Sequence, residues 1–236
     1  MKPRLLVPGL CLALLTRCAP DNEQQGVDAV GRFYGGLVQY KTGSHFSTDV
    51  GEPQGKYLEM TLANNALARR FDDLHLPASN CAYLVYSNLS PAERQQYNYL
   101  RINLKDSAAT HTYAFNLREL ATVAAAATNL ATFMGDLQQR DYLTATRRFN
   151  PAALGGAVPD SVPTLLARAG TQLSPFNTYQ LHGYSLVSPP VAGPTQQLVR
   201  LYVGTEGPHN DHRLLAVVNP QLRPKEQFMY GLVLLK

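Results

Sequence analysis

The chain has 236 residues, with 21 Lys and Arg against 17 Asp and Glu, six His and three Cys. Lys2, Arg4 and Arg17 all precede Cys18 and no acid does, which leaves 18 basic and 17 acidic residues for the remainder. That near balance, with no run of five or six like charges, excludes a nucleic-acid surface built on clustered Lys and Arg. Cys11 and Cys18 lie at the N-terminus, so Cys81 is the one thiol left. A disulfide framework is excluded, and stability must come from an apolar core, for which the chain is long enough.

The chain opens with the basic Met1-Lys2-Pro3-Arg4, followed by an apolar run from Leu5 to Leu15 and then Thr16-Arg17-Cys18. A charged start and a short apolar stretch predict an export signal. As a helix the run would rise only ~16 Å, about half a bilayer core, so it does not span. Leu15-Thr16-Arg17-Cys18 resembles the lipobox of bacterial lipoproteins, in which Leu stands three residues before the Cys and small residues are usual between; Arg17 departs from that. The resemblance implies that Cys18 is acylated and becomes the N-terminus of an envelope protein, on the outer-membrane or periplasmic side if the cell has an outer membrane. Residues 1–18 are then the signal, and the polar residues 19–30, with Asp21-Asn22-Glu23-Gln24-Gln25-Gly26, a flexible tether.

Residues 31–115 read as a mixed α+β region. Gly55 to Leu62 alternates polar and apolar residues, as a strand does. Ala78 to Leu89 predicts a helix with Ala82, Val85, Tyr86 and Leu89 on one face, ended by Ser90-Pro91. Tyr97 to Lys105 and His111 to Phe115 predict two more strands. Asn116-Leu117-Arg118-Glu119 has the form of a capping box opening a helix to about Gln138, and Asp141 can cap a shorter helix through Phe149. Asn150 to Pro163 is rich in Pro and Gly and reads as a connector, followed by a short helix from about Thr164 to Gly170. Tyr179–Val187, Gln197–Gly204, Arg213–Asn219 and Gln227–Leu235 predict four strands, whose short connections favour antiparallel neighbours. A one-faced sheet must be covered. Leu130, Phe133, Met134, Leu137, Tyr142 and Phe149 offer that cover from within the second half, so the sequence predicts that residues 116–236 form a domain of their own.

Phe133-Met134-Gly135-Asp136-Leu137-Gln138-Gln139-Arg140-Asp141-Tyr142 resembles the opening helices of the nuclear transport factor 2-like (cystatin-like) superfamily, with Arg140 where Gly is common. The resemblance implies an α+β fold in which helices pack on a curved antiparallel sheet over about residues 120–236. Some proteins of that fold isomerise or dehydrate small molecules in the cone of the sheet. Such chemistry needs a carboxylate or His inside the pocket with a donor opposite.

No catalytic or cofactor motif is present. Gly51-Glu52-Pro53-Gln54-Gly55-Lys56-Tyr57 is one residue short of a phosphate loop, lacks its Ser or Thr, and precedes a strand. His209-Asn210-Asp211-His212 reads as a solvated turn, not a metal set. The acids of the second half, Asp136, Asp141, Asp160, Glu206, Asp211 and Glu226, stand in caps, connectors, strand ends or near a helix end. Arg200, flanked by Leu198, Val199, Leu201 and Tyr202, is the candidate for an anionic ligand, with Tyr142 and Tyr202 as neighbouring ring surfaces. Cys81, among apolar neighbours, reads as a packing residue. These readings predict a membrane-tethered binding protein for a small ligand or a partner protein, with a cone isomerase or hydrolase as the alternative.

Overall fold

The computed structural model describes residues 22–49, 52–173, 178–188, 197–206 and 212–235. The signal segment and Cys18 lie outside them. The fold is α+β, with two four-stranded sheets.

Helix α1 (Asn22–Tyr34) begins where a polar tether was expected. Its first four residues are polar all round, and an apolar stripe begins only after them. Val27, Val30 and Tyr34 recur at helical spacing and are buried. Strands β1 (Leu37–His45), β2 (Gly55–Ala63), β3 (Tyr99–Lys105) and β4 (Thr110–Asn116) form the first sheet in that order. β1–β2 and β3–β4 are antiparallel, and β2–β3 is parallel. A parallel pair needs a long crossover. Here it consists of α2 (Leu67–Arg70), α3 (His75–Asn88) and α4 (Pro91–Arg94). Leu58, Met60, Leu62, Leu100, Ile102 and Leu104 fill the inner face and are buried. Glu59 on the outer face is held between Lys41 at 3.0 Å and Arg101 at 3.4 Å. Ser90 does more than end α3. It caps α4 in a reciprocal box, with Ser90 N donating to Glu93 Oε2 at 2.6 Å and Glu93 N to Ser90 Oγ at 3.3 Å.

In the second half α5 (Leu117–Gln138), α6 (Tyr142–Arg147) and α7 (Val162–Leu173) precede β5 (Thr178–Val187), β6 (Leu198–Glu206), β7 (His212–Val218) and β8 (Met229–Leu235). These four strands form an antiparallel meander. Asn116 caps α5 by accepting from Arg118 N at 2.8 Å. The helix ends in a Schellman turn: Asp141 N donates to Asp136 O at 2.9 Å and Arg140 N to Leu137 O at 3.0 Å. Such a turn requires the left-handed conformation at Arg140, whose φ is 59°. A side chain is strained there, which is the physical reason for glycine at such positions. Asp141 then serves as cap of α6, accepting from Thr144 N at 3.0 Å.

The two halves were expected to hold separate cores. They share one hydrophobic cluster that runs from Val27 and Leu58 through α3 and α5 to Val203 and Phe228. The join is α3. Its Ala82 and Val85 are buried toward α1 and the first sheet, while its first turn meets β5. There Ser79 Oγ accepts from Tyr184 N at 2.9 Å, occupying a strand-edge amide that no neighbouring strand reaches. The approach depends on Gly183, where a Cβ would stand 2.6 Å from Leu76 O. Asn116, the expected boundary, is the last residue of β4 and the cap of α5, a continuous junction.

Ser79→Ala leaves the buried Tyr184 amide unpaired and is expected to cost about 1–3 kcal/mol. In urea the midpoint should fall with an unchanged slope, and Gly183→Val should lower it further. A Ser79→Ala midpoint equal to that of the unaltered protein would refute this account of the join.

Candidate functional site

The cone of the second sheet was the expected place for a site. The sheet face toward α5 is largely covered, with an apolar cleft of about 440 Å³ between α7 and β8. α5 lays Leu130, Phe133, Met134 and Leu137 against Val199, Leu201, Val203, Leu214 and Ala216, all buried in the common cluster. By length and composition α5 could cross a membrane, but this apolar stripe is the core-facing side of a helix that covers a sheet. The polar group on that side, Asn129, is consumed by backbone: its Nδ2 donates to Asn219 O at 3.1 Å and Leu222 O at 2.9 Å.

Three of the acids singled out in this half have structural partners. Asp136 pairs with Arg148 Nε at 3.0 Å. Asp141 is the α6 cap, and the hydrogen bond from Thr144 holds its carboxyl below the usual carboxylate range. Glu226 accepts from Arg223 N, and Asp160 is exposed in the connector. The side chains of Glu206, Asp211, His209 and His212 fall outside the described residues.

The three ligand candidates do not form one site. Arg200 is exposed on the outer face of β6, opposite Ser185 and Val217. Tyr202 stands two residues along on the same face and borders a cleft of about 340 Å³ that does not include Arg200. Tyr142 belongs to the α6–α7 contact, where its ring lies over Gly170; a Cβ there would stand 2.7 Å from it. Of the other aromatic candidates, Phe149, Tyr184 and Phe228 are buried in the core. Tyr230 is half-buried, with its hydroxyl accepting from Asn150 Nδ2 at 3.2 Å.

A wide cleft, about 950 Å³, lies elsewhere, at the end of the first sheet beside the start of α5. The capping box at Ser90 sets α4 so that the Arg94 guanidinium stacks on the Tyr86 ring, 4.3 Å from its centroid. Arg94 Nε is enclosed there without a hydrogen-bond partner. Tyr97 and Tyr99 enter from the start of β3. Tyr97 donates its hydroxyl to Glu23 of α1. Burial and then this carboxylate push its hydroxyl pKa up. The Tyr99 ring lies 5.3 Å from that of Tyr57, and its hydroxyl accepts from Arg101 Nη2 at 3.3 Å. Asn98 fixes the floor: its Oδ1 accepts from Lys56 N at 3.0 Å and its carbonyl from Leu117 N at 3.2 Å.

Arg94 and Arg118 in this lining are balanced by Glu52 and Glu119. Ring faces and amides suit a ligand with a flat apolar part and polar edges. The sequence carried one signal for this place, the Ser90-Pro91-Ala92-Glu93 cap that orients Arg94. It carried none for the convergence of α3, α4, β3 and α5.

Compared with known protein families, curated proteins and solved structures, the chain has no significant match.

Cys81 is wholly buried on α3, and burial pushes its thiol pKa up. Burial does the same to the hydroxyls of Tyr34 and Tyr184. An acid whose folded pKa is raised adds stability that is complete below its unfolded pKa and is lost above it. Stability should therefore decline from about pH 8.5, where an unfolded thiol ionises, by up to about 1.4 kcal/mol per pH unit, and more steeply above about pH 10. Urea midpoints at pH 7 and 9 test this. Cys81→Ala should abolish the decline between those two values, and an unchanged decline would contradict it.

Proposed function

We propose that the chain is a membrane-tethered envelope protein that binds a small ligand without transforming it, and that the cleft at the end of the first sheet is its binding place. The observation that carries this reading is the cover of the second sheet by the apolar side of α5. The place where the isomerase alternative needs a carboxylate or His is occupied by Phe133, Met134 and Leu137. The resemblance of α5, α6 and the following meander to the cystatin-like superfamily is retained as part of the proposal, for architecture alone.

The anchor, on this reading, is Cys18. Since α1 starts at Asn22, only four Cα–Cα steps separate lipid site and helix, a reach of about 15 Å whatever path the chain takes. The tether is short. α1 meets the rim of the cleft directly, through Glu23 on Tyr97 and through Asn22 Nδ2, which donates to Glu93 Oε2 at 3.0 Å. The ligand would therefore be taken up close to the lipid surface.

Two measurements test the proposal. Cys18→Ser should leave the precursor unprocessed or release the protein from membranes; processing and membrane fractionation identical to those of the unaltered protein would refute the anchor. Native mass spectrometry of protein extracted from its own membranes should show a bound small molecule that Arg94→Ala loses while its melting temperature is kept. Retention of the adduct by Arg94→Ala, or turnover of the bound molecule, would refute the binding reading.

A further inference from the structure

The smaller cleft beside Tyr202 is chemically unlike the first. Arg70 from the end of α2 and Arg213 from β7 line it, with His182 from β5 and Tyr202 from β6. Among the described residues that line it there is no carboxylate, whereas Arg94 and Arg118 in the wide cleft are accompanied by two acids. Among the described residues neither Arg70 nor Arg213 takes part in a salt bridge. Two guanidiniums facing one cavity repel each other, an arrangement with a physical use when an anion sits between them.

The backbone is shaped around this place. β5 carries a bulge at His182, where the register with β6 shifts between Leu181 and Gly183. Its ring is directed over Gly204, where a Cβ would stand 2.4 Å from His182 Nε2. Phe33 of α1 meets the same ring edge-on at 5.4 Å and fixes its plane. Arg213 pairs with Gly204 across β6–β7, and Tyr202 stands two residues away, so these groups share the outer face of the second sheet. Phe71 and Leu76 supply an apolar wall.

We propose that this cleft binds the phosphate group of an organic phosphate, held by Arg70 and Arg213 with His182 and Tyr202 as further polar contacts, and with its apolar portion against Phe71 and Leu76. A phosphate offers three terminal oxygens to donors arriving from separate elements, and guanidinium forks match it bidentately. The enclosed apolar wall distinguishes this cleft from a merely basic surface. Arg200, on the same face but outside the cleft, makes no contact with the ligand. The proposal is independent of the site at the end of the first sheet, because the two clefts share no residue.

The same chemistry can come from a soluble organic phosphate or from a lipid headgroup. Calorimetric titration of the full chain in neutral detergent with inorganic phosphate, hexyl phosphate and hexanol, beside flotation with phosphatidylcholine vesicles with and without phosphatidic acid, separates the sources. Hexyl phosphate should bind more tightly than inorganic phosphate, and hexanol should not bind. Arg70→Ala and Arg213→Ala should each weaken binding about tenfold or more, as expected for loss of a charge-assisted contact, while Arg200→Ala changes it less than twofold. All three arginines are exposed, so the melting temperature should hold in each variant. Binding confined to phosphatidic acid vesicles, with the same dependence on Arg213 and not Arg200, assigns the phosphate to a lipid. Equal losses in all three variants, hexanol binding as well as hexyl phosphate, or no binding of either phosphate form would overturn the proposal.

Discussion

One helix carries the architecture. α3 lies between the two sheets, and its first turn is stitched to β5 by a single hydrogen bond, from Tyr184 N to Ser79 Oγ. The contact works because two glycines remove side chains where backbones meet. Gly183 admits Leu76, and Gly26 lets α1 approach Val85, where a Cβ would stand 2.9 Å from Cα. Neither is in a left-handed conformation, so close approach is their role. Without α3, the edge of β5 would present unpaired backbone and the inner face of the first sheet would be open. The two halves are therefore one folding problem, joined through the buried Ala78, Cys81, Ala82 and Val85.

This arrangement also decides where ligands can go. A helix as apolar as α5 must be covered, and the second sheet covers it. Among the clefts that remain, two lie where α3 and α4 leave the first sheet and where α2 and the β5 bulge meet the second, and an apolar one lies between α7 and β8. Each cleft draws residues from at least three elements. The first combines balanced charge with tyrosine rings, and the second has two arginines and no acid.

The sequence was legible where periodicity is local. The alternation in Gly55 to Leu62, the face of Ala82, Val85, Tyr86 and Leu89, and the Asn116 and Asp141 caps all appear in the fold. So do four antiparallel strands at the end of the chain. Several elements were hidden, α1 and β1 among them. α1 opens with Asn-Glu-Gln-Gln and buries only a narrow stripe, so its composition imitates a linker. β1 is half-exposed at a sheet edge, with Leu37 62 % accessible, so its pattern is diluted. Arg200 was singled out for its apolar neighbours, which does place it on a strand. Strand position alone could not tell the covered face from the outer one, nor that Arg213, from another strand, borders the cleft beside Tyr202.

By itself the sequence determined the α+β class, the positions of most elements and the caps that start them, because these follow from interactions within a few residues. It also pointed to a buried Cys81, since Ala82, Leu84 and Val85 beside it are apolar. The tertiary structure decided that the halves share one buried cluster, that α5 covers the second sheet, and that Arg70 and Arg213 line one cleft. Those outcomes depend on contacts between residues about a hundred positions apart, such as Ser79 with Tyr184 and Asn129 with Asn219. Local propensity carries no information about such pairs. They form only when the whole chain finds the arrangement that buries the most apolar surface while pairing its backbone.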